Sequence, residues 1–533
     1  MGGVEATQQS LLCEVFRMYI EPSSNVKILH DIRLDRNYKH TIYFKSSDKQ
    51  LDYFLSKVKY SQVNYSYQRQ QRGYIKVGIL ADNLYDCNYL MFRNDNFGSK
   101  WFFAFITSVE YVNNECSMLQ FEIDEVQTWL FEMKLGQCFI ERQHTLTDNK
   151  YEHIEPENVD FGNMITLSSF LPDVSNVAGD FHEWNMVICK APDGQTDVHP
   201  FLFNGVVSCA EYYYCKNNST SVSHFLTNVV NDYDQNSIYS VFLFPSVFVG
   251  SSIETNNNHL IDRGQQSPVE LNLKVVMPES INGYTPVNNK IFSSPFTIYE
   301  ATDDSGNSQF YFPELFGSTE FNFKVYGKYV GNPEILMTPL SYKGETENYS
   351  EGFSIQNFPM ASFASDTFRA WLANNGTQVG LNAMSSIVGS VASAVSGNIT
   401  GLAYNAIGLT SSINQVSVAY NQPNKLVTTD NSGITAVLKQ KVPRVKIKCL
   451  TQNYLKQVDD YFSMYGYALN VIGYPNLQAR PNYTYVKTQG CIVNGKLPTD
   501  SKNAICGAFD SGITWWADGD SIGNYSLYNK PYQ

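Results

Sequence analysis

The sequence predicts a mainly β protein with minor α. Three observations carry that reading: a long period-two run that turns back on itself near residue 113, a middle third built of short apolar stretches between turn residues, and helical spacing confined to two short segments. Across 533 residues there are 6 Trp, 36 Tyr and 33 Phe, far more aromatic character than a disordered chain carries. The length allows several domains, or one large β-rich body with insertions.

Trp101 to Val112 is apolar and aromatic, Asn113-Asn114-Glu115 interrupts it, and Cys116 to Asp124 continues with alternation. Phe103, Phe105, Thr107, Val109 and Tyr111 share one face at period two. The pattern predicts an antiparallel hairpin with arms of roughly 40 Å at about 3.3 Å per residue. Glu125 to Lys134 follows with Val126, Trp129, Leu130 and Met133 at helical spacing, a short amphipathic helix.

From 150 to 350, apolar runs such as Tyr239–Val249, Leu271–Met277 and Phe321–Val330 alternate with Asn, Ser, Gly and Pro turns, which predicts one or two further β-domains. Tyr454 to Tyr465 places Leu455, Val458, Tyr461, Phe462 and Tyr465 on one helical face, with Gly466 positioned to end the helix. The turn-rich stretch Ala508 to Tyr528, with Trp515 and Trp516, is expected to pack back on the first domain.

Charge and motifs narrow the function. The net charge is −13, so no basic excess exists to hold phosphates by counterion release. GxSxG, HExxH, P-loop and GxGxxG motifs are absent, and all eight His lie at or before His259. Glu152-His153-Ile154-Glu155-Pro156-Glu157 reads as a solvated acidic loop rather than a cation site. Asp303 to Glu314 has the length of a calcium loop but carries Ser308 where Gly is required, and reads as a hairpin turn. Glu122 and Asp124 would lie about 7 Å apart on one strand face, within the range of a glycosidase pair, though such pairs are common on solvated strands. No enzymatic activity, cofactor or metal is expected. The ten cysteines show no CxxC spacing and, with no export signal at the start of the chain, read as buried reduced thiols.

Residues 370–424 differ from everything else: these 55 residues contain no Asp, Glu, Lys or Arg. At ordinary charge content for this chain, such a window would arise about once in thirty thousand. Ser385, Gly389, Ser393, Gly397 and Gly401 recur every fourth position, a spacing that lets helices approach closely in membranes. Ile387, Val388, Val391, Val395, Ile399 and Leu402 lie between them. From the residues alone, a low-complexity loop, a buried core hairpin and a conditionally membrane-active segment all stay open.

Four separated blocks then carry a family resemblance: Asn25 to Lys57 (NVKILHDIRLDRNYKHTIYFKSSDKQLDYFLSK); Lys100 to His144, with KWFFAFITSVEYVN, FEIDEVQTWLFEMK and CFIERQH; Tyr465 to Gly495 (YGYALNVIGYPNLQARPNYTYVKTQGCIVNG); and Phe509 to Ser526 (FDSGITWWADGDSIGNYS). In these blocks, about a quarter of the chain and all in the same order, the sequence resembles the distal tail-knob, or tail-tube, proteins of small short-tailed, podovirus-type phages of Gram-positive bacteria. The middle of the chain departs from the expected pattern, and residues 1–20 match nothing in it.

The resemblance implies β-rich tube-forming domains with inserted β-domains and a long apolar loop. It implies a homohexamer at the distal end of the virion tail, made in the host cytoplasm and joined to a proximal tail or collar protein. Double-stranded DNA passes through the lumen without sequence-specific binding. The loop plugs the lumen and is extruded to penetrate the host cell membrane during genome ejection. Placed on this sequence, the loop comprises Leu381, Met384, Ser385, Ile387, Val388, Gly389, Val391, Ser393, Val395, Gly397, Ile399, Gly401, Leu402, Ile407 and Leu409. The expected organisation is a tube-wall β-domain over 21–150, inserted β-rich outer or lower domains over 151–350, the uncharged apolar loop over 351–430, and the second part of the wall over 431–533. The competing reading is a receptor-binding or cell-wall-degrading tail spike, suggested by the aromatic-rich β-domains.

Overall fold

The structure, a computed structural model, describes residues 24–531 apart from 66–72, 95–97, 150–151, 161, 178, 191–200, 204–205, 209, 217–237, 250–258, 261–268, 305, 319, 331–332, 357, 359 and 363–440. Its described residues are mainly strand, as the sequence predicts. They form two compact units. The first takes the residues up to 160, 286–291 and those from 455 on; the second takes those of 161–285 and 292–454.

The first unit is organised by a six-stranded antiparallel sheet in the order Val58–Tyr65, Ser24–His30, Cys87–Asn94, Phe102–Asn113, Cys116–Ile123, Tyr74–Val77. The predicted hairpin is its fourth and fifth strands, with Asn113 opposite Cys116. The expectation of a single apolar face along it is corrected. Register shifts fall between Ile106 and Ser108 and between Tyr111 and Asn113, so the alternation slips at Thr107, and Tyr111 and Val112 are exposed. Both faces of the sheet are buried near its centre. Leu29, Tyr89, Met91, Phe103 and Phe105 enter one core, while Val26, Ile28, Leu90, Ala104 and Leu119 enter another.

The first of these cores joins the two ends of the chain. A second sheet runs His40–Ile42, Ile513–Trp516, Tyr483–Gln489, Cys138–Gln143, Tyr467–Gly473. Its first two strands pair in parallel, with Thr41 opposite Trp515. Trp515 and Trp516 are fully buried in the same cluster as Phe54 and Tyr89, so the terminal tryptophans do pack on the first domain. Phe54, on the helix Ser47–Ser56, stacks on Tyr89 at 5.2 Å and lies 4.6 Å from Phe103. The turn-rich expectation for 508 onward missed the end of a helix, Thr499–Ser511, whose Ile505 and Phe509 are buried.

The helix expected over 125–134 covers only Glu125–Trp129. Asp124 caps it, accepting from Gln127 N at 2.9 Å. It stops because Lys134–Leu135 pairs as a short strand with Val493–Asn494. Gln127 is buried and tied to the first strand of the second sheet through Thr41 Oγ1 and the Ile42 carbonyl. The helix Gln452–Tyr465 buries Leu455, Val458 and Phe462, as its spacing predicts, while Tyr461 is half-buried and Tyr465 is exposed. Gly466 ends it at φ 67°, where a Cβ would collide with the Gln143 carbonyl.

The acidic stretch 152–157 is the loop expected, exposed at Glu152, Ile154 and Pro156, but it is not solvated throughout. Glu157 is buried, and its carboxylate accepts from Arg142, from Lys290 Nζ at 2.7 Å and from Ala468 N at 2.9 Å. Burial pushes Lys290 below an ordinary lysine, opposed by Glu157. Beside this pair, Asp459 accepts from Val287 N at 2.7 Å and from Asn288 N and Nδ2 at 3.0 and 2.7 Å. Asp148 accepts from Asn289 N at 3.0 Å and from the Tyr467 hydroxyl. These three carboxylates hold residues 286–291 in the first unit, between two stretches that belong to the second.

The second unit has one large aromatic core. One sheet runs His259–Leu260, Glu211–Lys216, Trp184–Lys190, Ile238–Pro245, Met360–Ser362; a second runs Glu270–Val275, Phe321–Lys328, Glu334–Tyr342, Glu345–Glu347, with Phe353–Ile355 also on Glu334–Tyr342; a third runs Met164–Phe170, Arg444–Leu450, Thr297–Thr302, Ser308–Tyr311. The run read as a strand over 239–249 changes to a helical turn at Ser246–Val249. The strand Arg444–Leu450, grouped by sequence with 431–533, lies in this unit.

Removing Glu157 leaves two buried cations without their shared partner. Glu157→Ala should destabilise the first unit by about 3–5 kcal/mol, read by urea denaturation; a loss under 1 kcal/mol would show the pair to be dispensable.

Two buried groups titrate with opposite sign. Burial raises Asp124 to about 7, against the Gln127 amide and Tyr89 hydroxyl that favour its anion. Its contribution to stability is therefore complete below about pH 4 and is lost as pH rises toward 7. Burial, helped by Arg480, lowers His144 to about 3. The neutral ring accepts from Tyr485 N at 2.8 Å and donates to the Ser463 carbonyl at 3.0 Å. Its contribution is complete above about pH 6.5 and is lost as pH falls toward 3. Asp124→Asn keeps the cap and removes the first effect. Relative to the parent, this variant should gain up to about 4 kcal/mol between pH 4 and pH 7 and stay level above. Denaturation at several pH values checks this, and a constant difference would contradict it.

Candidate functional site at the base of the uncharged segment

All fifteen residues assigned to the apolar loop, Leu381 through Leu409, lie outside the described residues. The structure instead defines where the chain departs toward that segment and where it returns. On the way out, Phe353–Ile355 pairs antiparallel with Glu334–Tyr342, and Ile355 is fully buried. Phe358 is buried against Phe244 at 4.9 Å and Trp184 at 5.9 Å. Met360–Ser362 then forms the edge strand beside Ile238–Pro245.

On return, Lys441 is 3% exposed, and its Nζ donates to the Gln356 carbonyl at 2.7 Å. Val442 is buried in the same core as Phe358. The two ends of the segment are thus tied directly to one another. A buried ammonium bonded to a carbonyl is a charge-assisted contact, stronger than a neutral one and costly to break.

The strand that follows, Arg444–Leu450, alternates strictly. Val445, Ile447 and Cys449 point into the core. Arg444, Lys446 and Lys448 occupy the other face, each matched to an acid: Arg444 Nη1 to Asp304 Oδ2 at 3.0 Å, Lys446 also to Asp304, and Lys448 to Glu300 Oε2 at 2.9 Å. Asp304 sits at φ 57° in the turn joining Thr297–Thr302 to Ser308–Tyr311. The calcium-loop candidate is therefore a hairpin turn whose acid serves two strand cations. Among the described residues no cluster of His, Cys, Asp or Glu is arranged to hold a metal.

The other acidic pair separates as well. Asp124 is a buried helix cap, while Glu122 is exposed and paired with Arg36 Nε at 3.1 Å. Lys441 and Gln356 escaped the sequence reading. The available signal was the cation-rich, period-two run Lys441 to Leu450, directly after a segment with few charges. Among the described residues no helix is long and apolar enough to cross a membrane, a statement that leaves strand-built spans untouched.

Comparison with known proteins places these features in a family. Residues 22–134 match the model of the caudoviral major tail protein N-terminus. Residues 263–530, half of the chain, match the model of the C-terminal domain of tail knob protein gp9 of Bacillus phage phi29. The chain belongs to the phi29 gp9 tail knob family. It is 24% identical to the phi29 tail knob protein gp9 over 594 aligned positions, which cover 95% of this chain and 98% of the relative. It is 25% identical to gp9 of Bacillus phage PZA over 596 positions at the same coverage. The homology thus extends well beyond the four blocks legible by eye. The fold is shared with the tail knob protein gp12 of bacteriophage C1, at a TM-score of 0.61 and 15% identity, over 95% of this chain and 99% of that one.

Lys441→Met keeps most of the side-chain volume and removes the donor to Gln356. It should destabilise the second unit by about 1–3 kcal/mol, with Lys441→Arg closer to the parent. Chemical denaturation measures both, and equal stability of Met variant and parent would show that the tie contributes nothing.

Proposed function

We propose that the chain is a structural protein of the distal phage tail, a homohexamer enclosing a DNA-conducting channel, whose uncharged segment plugs the lumen and is extruded to enter the host membrane during genome ejection. Residues 21–150 and 431–533, apart from the strand Arg444–Leu450, contribute to the tube wall, and 151–350, apart from 286–291, form outer or lower β-domains. A proximal tail or collar protein is the expected neighbour. Double-stranded DNA slides through without sequence-specific contacts, consistent with the chain's acidic balance.

The observation that carries the reading is a tail knob family member in which a segment without charge departs from, and returns to, a single tied base. Pinned ends let such a segment change environment while the folded body stays as it is. The absence of Asp, Glu, Lys, Arg and His over 370–424 removes the cost of carrying charge into lipid. Split near Gly397, the segment gives two arms of about 40 Å each if helical, enough to cross a hydrocarbon core of about 30 Å.

Val395→Asp separates assembly from penetration. An Asp near mid-bilayer costs about 2.5–3.5 kcal/mol per copy, multiplied by symmetry in a hexamer, whereas in a wet lumen the carboxyl stays hydrated. The variant should form sixfold rings by electron microscopy and native mass spectrometry but release dye from liposomes far more slowly after triggering. Val395→Ile should match the parent in both assays. Unchanged dye release by the Asp variant would remove the membrane role, and threefold or twelvefold particles would remove the hexamer.

A further inference from the structure

Three cysteines far apart in the sequence meet in the first unit. Cys138 opens the strand Cys138–Gln143, Cys491 follows the strand Tyr483–Gln489, and Cys506 lies on the helix Thr499–Ser511. The ladder brings the first two together. Phe139 stands opposite Gln489, Gly136 N donates to the Ile492 carbonyl at 2.7 Å, and Leu135 stands opposite Val493. In this register Cys138 falls opposite Gly490 and Cys491 opposite Gln137, so the two cysteines lie diagonally across the ladder.

The helix brings the third. Asp510, one turn after Cys506, accepts from Cys491 N at 3.1 Å and from Thr488 Oγ1 at 2.7 Å, which sets that face of the helix over Cys491. Burial, and then the neighbouring Cys506 and Cys138 thiols, push the Cys491 thiol up. All three are free thiols; Cys138 and Cys491 are buried, and Cys506 is partly exposed.

We propose that Cys491 and Cys506 form a disulfide site, closed by a soluble disulfide of the glutathione class. The sulfur of Cys506, the least buried of the three residues, attacks one sulfur of oxidised glutathione. The glutathione S–S bond breaks, and one glutathione leaves with the proton from Cys506. The Cys491 sulfur then attacks the Cys506 sulfur of the mixed disulfide and expels the second glutathione, which takes the proton from Cys491. Two protein thiols have lost two electrons, and glutathione disulfide has gained them. Burial pushes the Cys491 thiol up, so the second step draws on a scarce thiolate and speeds up as pH rises. Cys138 remains a thiol. The closed bond ties the helix Thr499–Ser511 to the end of the strand Tyr483–Gln489 and shortens the free chain between them in the unfolded state.

The site stands apart from the tube reading, and its test uses the full-length reduced protein. After incubation with oxidised glutathione, the intact mass before alkylation should fall by about 2 Da, the two hydrogens of a two-electron oxidation, and denaturing alkylation with peptide mapping then locates the bond. The map should show one peptide pair linked through Cys491 and Cys506, and the thermal midpoint should rise, reversibly with dithiothreitol. Cys138→Ser should still form the link, and Cys506→Ser should not. No linked peptide, a glutathione retained on Cys506, or a Cys138–Cys491 link instead would each overturn the proposal. The map of the unmutated protein decides even where a variant folds poorly.

Discussion

Three carboxylates, two of them buried, set the course of this polypeptide. Asp148, Glu157 and Asp459 hold residues 286–291 in the first unit, although the residues on either side belong to the second. Carboxylates out of water are tolerated only where donors saturate them. Here backbone amides of 287–289, the Lys290 ammonium and Arg142 do so. The chain between residues 161 and 454 is thus fastened to the first unit at an internal point as well as at its two ends, all within one covalent chain.

The same economy of charge recurs at the base of the uncharged segment. The Lys441 ammonium donates to the Gln356 carbonyl, and the three cations that follow share Asp304 and Glu300. Paired charge along Arg444–Leu450 contrasts with the absence of Asp, Glu, Lys and Arg over 370–424.

Much of the local structure was legible beforehand. The hairpin at 101–124, the amphipathic helix ending at Gly466 and the strands near 271 and 321 follow from period-two and helical spacing. The errors share a cause. The bulge at Thr107 turned one expected face into two because the sheet has a core on each side. The helix from 125 ended early because residues 134–135 found a partner at 493–494. Glu157 reads as a solvated acid from its acidic neighbours in sequence, whereas its neighbours in space are Arg142 and Lys290.

The sequence by itself determined element type, the uncharged segment and the family, since periodicity, charge and ordered blocks are written along the chain. Tertiary structure alone decided the pairings: Lys441 with Gln356, Glu157 with Lys290, Trp515 beside Thr41, and three thiols from positions 138, 491 and 506 at one junction. The physical reason is range. Alternation records which side of a strand meets a core through contacts two residues apart, but it carries no information about which distant residue waits there.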